Sequence, residues 1–138
     1  MRQQRYEANG VTVIDDTYNA SPDSMIGGID VLYAIKAEGR RIAVLADMLE
    51  LGEASAEAHR KVGRHCGEKG VDLLLTIGSE AAQIAAGAKE ASAEIVCREF
   101  MDNPSALAFL KETVRPGDVV LVKGSRGMHT DEIVHGLL

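Results

Sequence analysis

Four short polar stretches in this 138-residue chain carry residue types that hold sugars, anions or amines. The first is Asp15-Asp16-Thr17-Tyr18-Asn19-Ala20-Ser21-Pro22-Asp23-Ser24-Met25. Apolar Val11-Thr12-Val13-Ile14 precedes it and an amphipathic run follows, so it reads as a strand, a polar loop and a helix. Asp15 or Asp16 can hold a ribose hydroxyl pair or a metal-bound water. Tyr18 and Asn19 can donate hydrogen bonds to phosphate, and the helix behind Ser21 offers free N–H groups to an anion. A capped helix with a solvated turn would use the same residues, because Asp and Asn bond their own backbone in turns.

Asp47-Met48-Leu49-Glu50-Leu51-Gly52 follows a buried apolar run. Its two acids could bind an ammonium group or a metal, or could line a polar loop with the leucines tucked inward. A third polar stretch spans Thr76 to Ser79. The fourth, Val122-Lys123-Gly124-Ser125-Arg126-Gly127, joins a cationic pair and a hydroxyl to two glycines. Such a strand end can cradle a carboxylate or phosphate, with Arg as a planar fork and Lys as a point charge. A glycine-rich surface turn is the plainer alternative.

The bulk composition narrows the field. The length suits one domain with a real core. The net charge of -6 argues against nucleic acid or an anionic membrane as partner. No apolar run approaches the roughly 20 residues needed to cross a bilayer. The N-terminus lacks the apolar segment of a secretory signal. Cys66 and Cys97 lack metal-ligand spacing and read as two reduced core thiols of a cytoplasmic protein. His59 and His65 are six apart on one predicted helix, which is not ligand spacing; structural or exposed roles fit them, as they fit His129 and His135. No metal site is expected.

The elements that must position these clusters follow from periodicity. Arg5 to Glu7 and Val11 to Ile14 flank Asn9-Gly10, a hairpin signal. Met25, Ile29, Leu32 and Ile35 mark a helix face that Gly39 closes. Ile42 to Ala46, Leu73 to Ile77 and Val119 to Val122 are continuous apolar runs, the mark of strands covered on both faces. Glu94 to Cys97 reads as a short peripheral strand. Helices carry Ala58, Val62 and Cys66, then Ala81 to Ala88, then Leu107, Leu110 and Val114, then Ile133 to Leu137. The alternation predicts a Rossmann-like, doubly wound α/β domain over 1–138, with about six mostly parallel strands and one antiparallel edge strand. Right-handed crossovers place all four polar clusters along one rim.

Neither a G-x-x-x-x-G-K-[ST] loop nor a G-x-G-x-x-G fingerprint is present. A nucleotide bound here would lack the element that grips its outer phosphates, which suggests a half-site completed elsewhere.

At VIDDTYNASPDSM, VLADMLELGEASAEAH and VLVKGSRGMHTDEIV the chain resembles the C-terminal domain of the Mur ligases of peptidoglycan synthesis. The resemblance spans nearly the whole chain and is nearest to the dipeptide-adding members. It departs at Ala46, where the family usually has Gly, and at Ser21, where it usually has Asn. The resemblance implies a three-domain, ATP-dependent amide ligase whose N-terminal and central domains lie outside this chain. It implies ATP and Mg2+, held mainly by the central domain, and UDP-N-acetylmuramoyl-tripeptide and D-alanyl-D-alanine as substrates. The peptide carboxylate would become an acyl phosphate that the dipeptide amine attacks. The resemblance places Asp16 on the ribose and Tyr18, Asn19 and Arg2 near the phosphates. It turns Lys123, Ser125 and Arg126 towards the dipeptide, with Asp47 and Glu50 nearby.

Three alternatives stand beside it. One is another Mur-type or a folylpolyglutamate-type ligase, from which DMLELG and KGSR differ. Another is a phosphoacceptor receiver domain, although Lys123 precedes Gly rather than Pro and Asp47 falls one βα unit early. The last is an interaction module with no small-molecule site.

Overall fold

A computed structural model describes residues 3–138. Arg2, one of the residues expected near phosphate, lies outside the described residues. The elements run β1 (Gln4–Ala8), β2 (Val11–Asp16), α1 (Pro22–Ala34), β3 (Arg41–Ala46), α2 (Ser55–Lys69), β4 (Leu73–Ile77), α3 (Ala82–Ala91), β5 (Val96–Phe100), α4 (Asn103–Thr113), β6 (Val119–Lys123) and α5 (Asp131–Leu137). Short 3-10 turns fill Gly52–Ala54 and Arg126–Met128. Asn9 and Gly10 both take positive φ, the backbone of the tight turn that suits a twisted hairpin.

The six strands form one sheet in the order β1-β2-β6-β3-β4-β5. Only β1 runs antiparallel. The chain steps from β2 over to β3, walks outward to β5, and returns by α4 to insert β6. Met25, Ile29 and Leu32 of α1, Val62 and Cys66 of α2, and Ile84 and Ala88 of α3 pack on one face. Ala106 and Leu110 of α4 with Ile133 and Val134 of α5 cover the other. The helix after β2 and the helix after β6 therefore lie on opposite faces. A crevice opens where neighbouring strands send their chains to opposite sides, at the strands' carboxyl ends. This puts the crevice at the tips of β2 and β6, where the first and fourth polar clusters stand.

Two features stiffen this platform. Helices α2 and α3 cross closely because Gly63 faces the Ile84 carbonyl and Gly87 faces that of Arg60, with no room for a methyl at either place. At the opposite end of the sheet, buried Asp118 accepts from the Arg40 and Arg115 N–H groups at 2.8 and 2.9 Å and pairs with the Arg40 guanidinium at 2.9 Å. Burial works to raise the Asp118 carboxyl, but these donors outweigh it and hold it below the usual carboxylate range.

Some boundaries differ from the sequence reading. The peripheral strand begins at Val96, because residues 92–95 turn back through an Ile95 N–H to Ser92 carbonyl bond while Ile95 still reaches the core. Helix α1 ends at Ala34, and Ile35 keeps its core contact from extended backbone. Cys66 is a buried thiol, pushed up to about 12 by burial. Cys97 is only half-buried on the edge strand. No helix among the described residues is long and apolar enough to cross a membrane.

Candidate functional site

Alternation along β2 sends its last two carboxylates to opposite faces. Asp15 faces the α5 side, where its Oδ1 accepts from the Thr17 N–H and hydroxyl at 3.2 and 2.7 Å. Asp16 turns towards α1, beside Gly28. Its Oδ2 receives the Lys123 ammonium at 3.0 Å and the Gln3 amide at 3.2 Å. Asp16 and Lys123 are direct partners in the β2–β6 ladder, which brings residues 107 positions apart onto one spot. Lys123 is 3% exposed and also donates to the Asn19 carbonyl at 2.9 Å. The resemblance turned Lys123 towards a dipeptide; its ammonium points inward to the first loop.

Helix α1 starts with a reciprocal cap. Ser21 Oγ accepts from the Ser24 N–H at 3.2 Å, and Ser24 Oγ accepts from the Ser21 N–H at 2.8 Å. Pro22 takes the first helical position, where a missing N–H costs nothing. Ser21 thus does the capping work. Asn19 Oδ1 accepts from the Ala20 N–H at 2.8 Å, leaving the amide nitrogen outward. An open depression of about 700 Å3 lies here, lined by Asp16, Tyr18, Asn19, Ser24, Gly27 and Gly28, with Lys123 at its base. On the α5 side a second depression of about 410 Å3 is lined by Gln4, Asp15, Thr17, Arg126, His129 and Asp131. Half-exposed Tyr18 borders both. The Arg126 guanidinium stacks on its ring.

The second polar cluster is mostly turned in. Asp47 is buried, and its carboxylate accepts from the Ala81 N–H at 2.7 Å as α3 begins. It lies against Gly78, whose φ of +111° and missing side chain leave the room. Burial pushes the Asp47 carboxyl up, with the Ala81 bond pulling the other way. Glu50 is exposed at the tip of this loop with φ +66°. Ser125 ties the loop to the last one: its N–H donates to the Asp47 carbonyl at 3.1 Å, and its Oγ accepts from the Leu49 N–H at 2.8 Å. Thr76, in the third cluster, is buried, and its Oγ1 has no partner among the described residues. Gly124 is confined by Ala46, whose methyl a Cβ at 124 would approach to 2.7 Å.

The sequence reading left His59 a structural or an exposed role, and the structure makes it structural. It is fully buried, and its Nε2 accepts from the Met48 N–H at 3.0 Å. Its Nδ1 lies 2.8 Å from the Ser55 carbonyl, which requires the Nδ1–H tautomer. The signal was present: His59 stands three before Val62 and seven before Cys66, on the inward stripe of α2.

The rim thus gathers Asp16, Tyr18, Asn19, Lys123 and Arg126 around the β2–β6 crevice. Asp47 and Glu50 flank it at the tip of β3, tied to Ser125 after β6. Among the described residues no group of three His, Cys, Asp or Glu side chains could hold a metal ion.

The model of the Mur ligase glutamate ligase domain matches residues 1–126. The UDP-N-acetylmuramoyl-tripeptide–D-alanyl-D-alanine ligase of Bacillus subtilis is 35% identical over 130 residues, covering 94% of this chain and 28% of that enzyme. The enzyme of that name from Mycobacterium leprae is 40% identical over 136 residues, covering 88% of this chain and 26% of its own length. The crystal structure of the MurF ligase of Thermotoga maritima in complex with ADP superposes with a TM-score of 0.79 at 31% identity, over 96% of this chain and 29% of that one. The Acinetobacter baumannii MurF gives 0.84 at 30% identity, over 97% and 29%. The chain therefore spans under a third of the length of these relatives. On the family match and these identities together, the chain belongs to the Mur ligase family and is its C-terminal domain.

Proposed function

We propose that this domain closes the ATP site of a cytoplasmic amide ligase that joins D-alanyl-D-alanine to UDP-N-acetylmuramoyl-tripeptide, with central and N-terminal domains supplying the rest. The observation that carries the reading is Asp16. Its Oδ2 is held by Lys123 and Gln3, while its Oδ1 accepts no hydrogen bond from the described residues beside the larger depression. A carboxylate held by one oxygen and free at the other suits a ribose hydroxyl. The outward Asn19 amide and the Tyr18 hydroxyl are donors for phosphate oxygens, and ADP in the Thermotoga relative supports a nucleotide here.

ATP would supply the phosphoryl group that turns the peptide carboxylate into an acyl phosphate. The dipeptide amine then attacks the acyl carbon, phosphate leaves, and the amine's proton passes to solvent or base. In this reading Arg126 and the Ser125 hydroxyl receive the dipeptide carboxylate, with Glu50 at the loop tip towards its ammonium. Asp47 acts from beneath, fixing the loop to α3. In this reading Mg2+ is held mainly by the central domain, and no step is assigned to it here. Closing the lid excludes water from a hydrolysable intermediate and fixes the amine in line.

Titrating ADP into the 15N-labelled chain tests the reading. Shifts centred on Asp16 to Asn19, abolished by Asp16→Ala with the fold intact, are expected. Shifts confined to another surface would sink it. With ATP, dipeptide and sugar-tripeptide supplied, the 138-residue chain alone is expected to release no phosphate.

A further inference from the structure

We infer that Lys123 is a positioning residue for the nucleotide end of the site and not a ligand of the incoming dipeptide. The inference rests on the proposed nucleotide site. An ammonium offered to a substrate carboxylate should be solvent-facing and free of strong partners. Lys123 is neither: it is 3% exposed, and its donors go to Asp16 Oδ2 at 3.0 Å and the Asn19 carbonyl at 2.9 Å.

Those two acceptors bracket the β2–α1 loop. One is the last residue of β2 and the other lies two before the Ser21 cap. A single buried charge thus fixes both ends of the segment that carries Thr17 and Tyr18. It also selects which Asp16 oxygen stays available, because Oδ2 is taken. Gly28 is part of the same device. A methyl there would stand 3.3 Å from Lys123 Cδ and 3.4 Å from Asp16 Oδ2, so the absent side chain lets α1 settle over the pair. A lysine buried without such partners would be unpaired charge in a low-dielectric site, which folded proteins avoid.

Lys123→Met keeps the stem and removes the charge. Two measurements on the 138-residue chain decide the matter. The first needs no ligand. The 15N order parameters of Thr17 to Ala20 should fall from the rigid range near 0.85 to below about 0.6, while those of β3 and β4 stay unchanged. The second titrates ADP and, separately, D-alanyl-D-alanine. ADP should bind at least about tenfold more weakly to the variant, with dipeptide-induced shifts unaltered. A loop as ordered in Lys123→Met as in the wild type overturns the inference, as does loss of dipeptide binding with ADP binding spared. Asp16→Asn breaks the same pair from the other side and should loosen the same residues, which covers the case in which Lys123→Met fails to fold. A wild-type chain that binds no ADP counts against the proposed function, and the ligand-free order parameters still decide the role of Lys123.

Discussion

The Arg126 guanidinium lies 5.3 Å from the centre of the Tyr18 ring, so the last loop of the rim braces the first. Stacking at such an exposed position contributes about 0.5–1 kcal/mol. The larger effect is orientation, since the planar fork is steered by the ring beneath it. Lysine at 126 keeps the charge but loses both the fork and the stack. Under the proposed function, Arg126→Lys in a full-length ligase carrying this domain is expected to raise KM for D-alanyl-D-alanine at least about tenfold with a much smaller change in KM for ATP. Steady-state kinetics with each substrate varied in turn checks the split.

The α2–α3 crossing sets two opposed effects against each other. Alanine in place of a helical glycine gains up to about 1 kcal/mol in propensity. At Gly63 the new methyl would strike the Ile84 carbonyl, and at Gly87 that of Arg60. Backbone cannot yield as a flexible side chain can, and overpacking costs about 1–3 kcal/mol or more. Gly63→Ala and Gly87→Ala should therefore each destabilise by at least about 1–2 kcal/mol net. Urea unfolding with an unchanged slope is the check. Gly27, with open space around its Cβ position, is the control, and Gly27→Ala should be neutral or mildly stabilising.

Asp118 makes stability depend on acid. Its carboxyl titrates below its ordinary value of 3.8 in the folded chain. The folded state then binds fewer protons than the unfolded one, and the stabilisation is complete above the unfolded value. It is lost as pH falls through the lower, folded value. Asp118→Asn should cost about 1.5–3 kcal/mol at pH 7, as for a lost charged hydrogen-bond set. It should also flatten the decline below about pH 4. Asp47 has the opposite sign: its raised carboxyl makes the folded state take up protons, so its contribution weakens as pH rises above 3.8. Unfolding free energies from pH 2 to 7 for the wild type, Asp118→Asn and Asp47→Asn separate the two.

His59 supports the β3–α2 loop from within. Removing its ring leaves the Met48 N–H without an acceptor and a void beneath the loop. His59→Ala is expected to cost about 2–4 kcal/mol, combining the unsatisfied donor with the cavity. Faster hydrogen exchange at Met48 and Leu49, with the outer strand β5 unaffected, would locate the damage. Uniform acceleration across the sheet would contradict this role.

The fold was legible because its signals are local. Apolar runs marked β3, β4 and β6, and Ser21-Pro22 and Asn9-Gly10 fixed a helix start and a turn within a few residues. The crossover rule then gathered the polar clusters on one rim. What stayed hidden depends on pairing across distance. Whether Lys123 faces outward is decided by its register opposite Asp16 and by the gap at Gly28. Neither is visible from a lysine before a glycine. Asp47 likewise looked like a free acid after a strand, and only the Gly78 seat and the Ala81 N–H show it to be a fastening. The alternating faces of Asp15 and Asp16 were readable in principle, since period two separates neighbours. The sequence could not say which of the two faces α1.

Ser125 stitches the tips of β3 and β6 together through Leu49 and Asp47. The two tips therefore behave as one jaw. Leu49 is thereby bonded to the residue before Arg126, which joins the second polar cluster to the fourth. Removing the Ser125 hydroxyl should accordingly loosen the β3 tip as well as the loop that Ser125 itself belongs to.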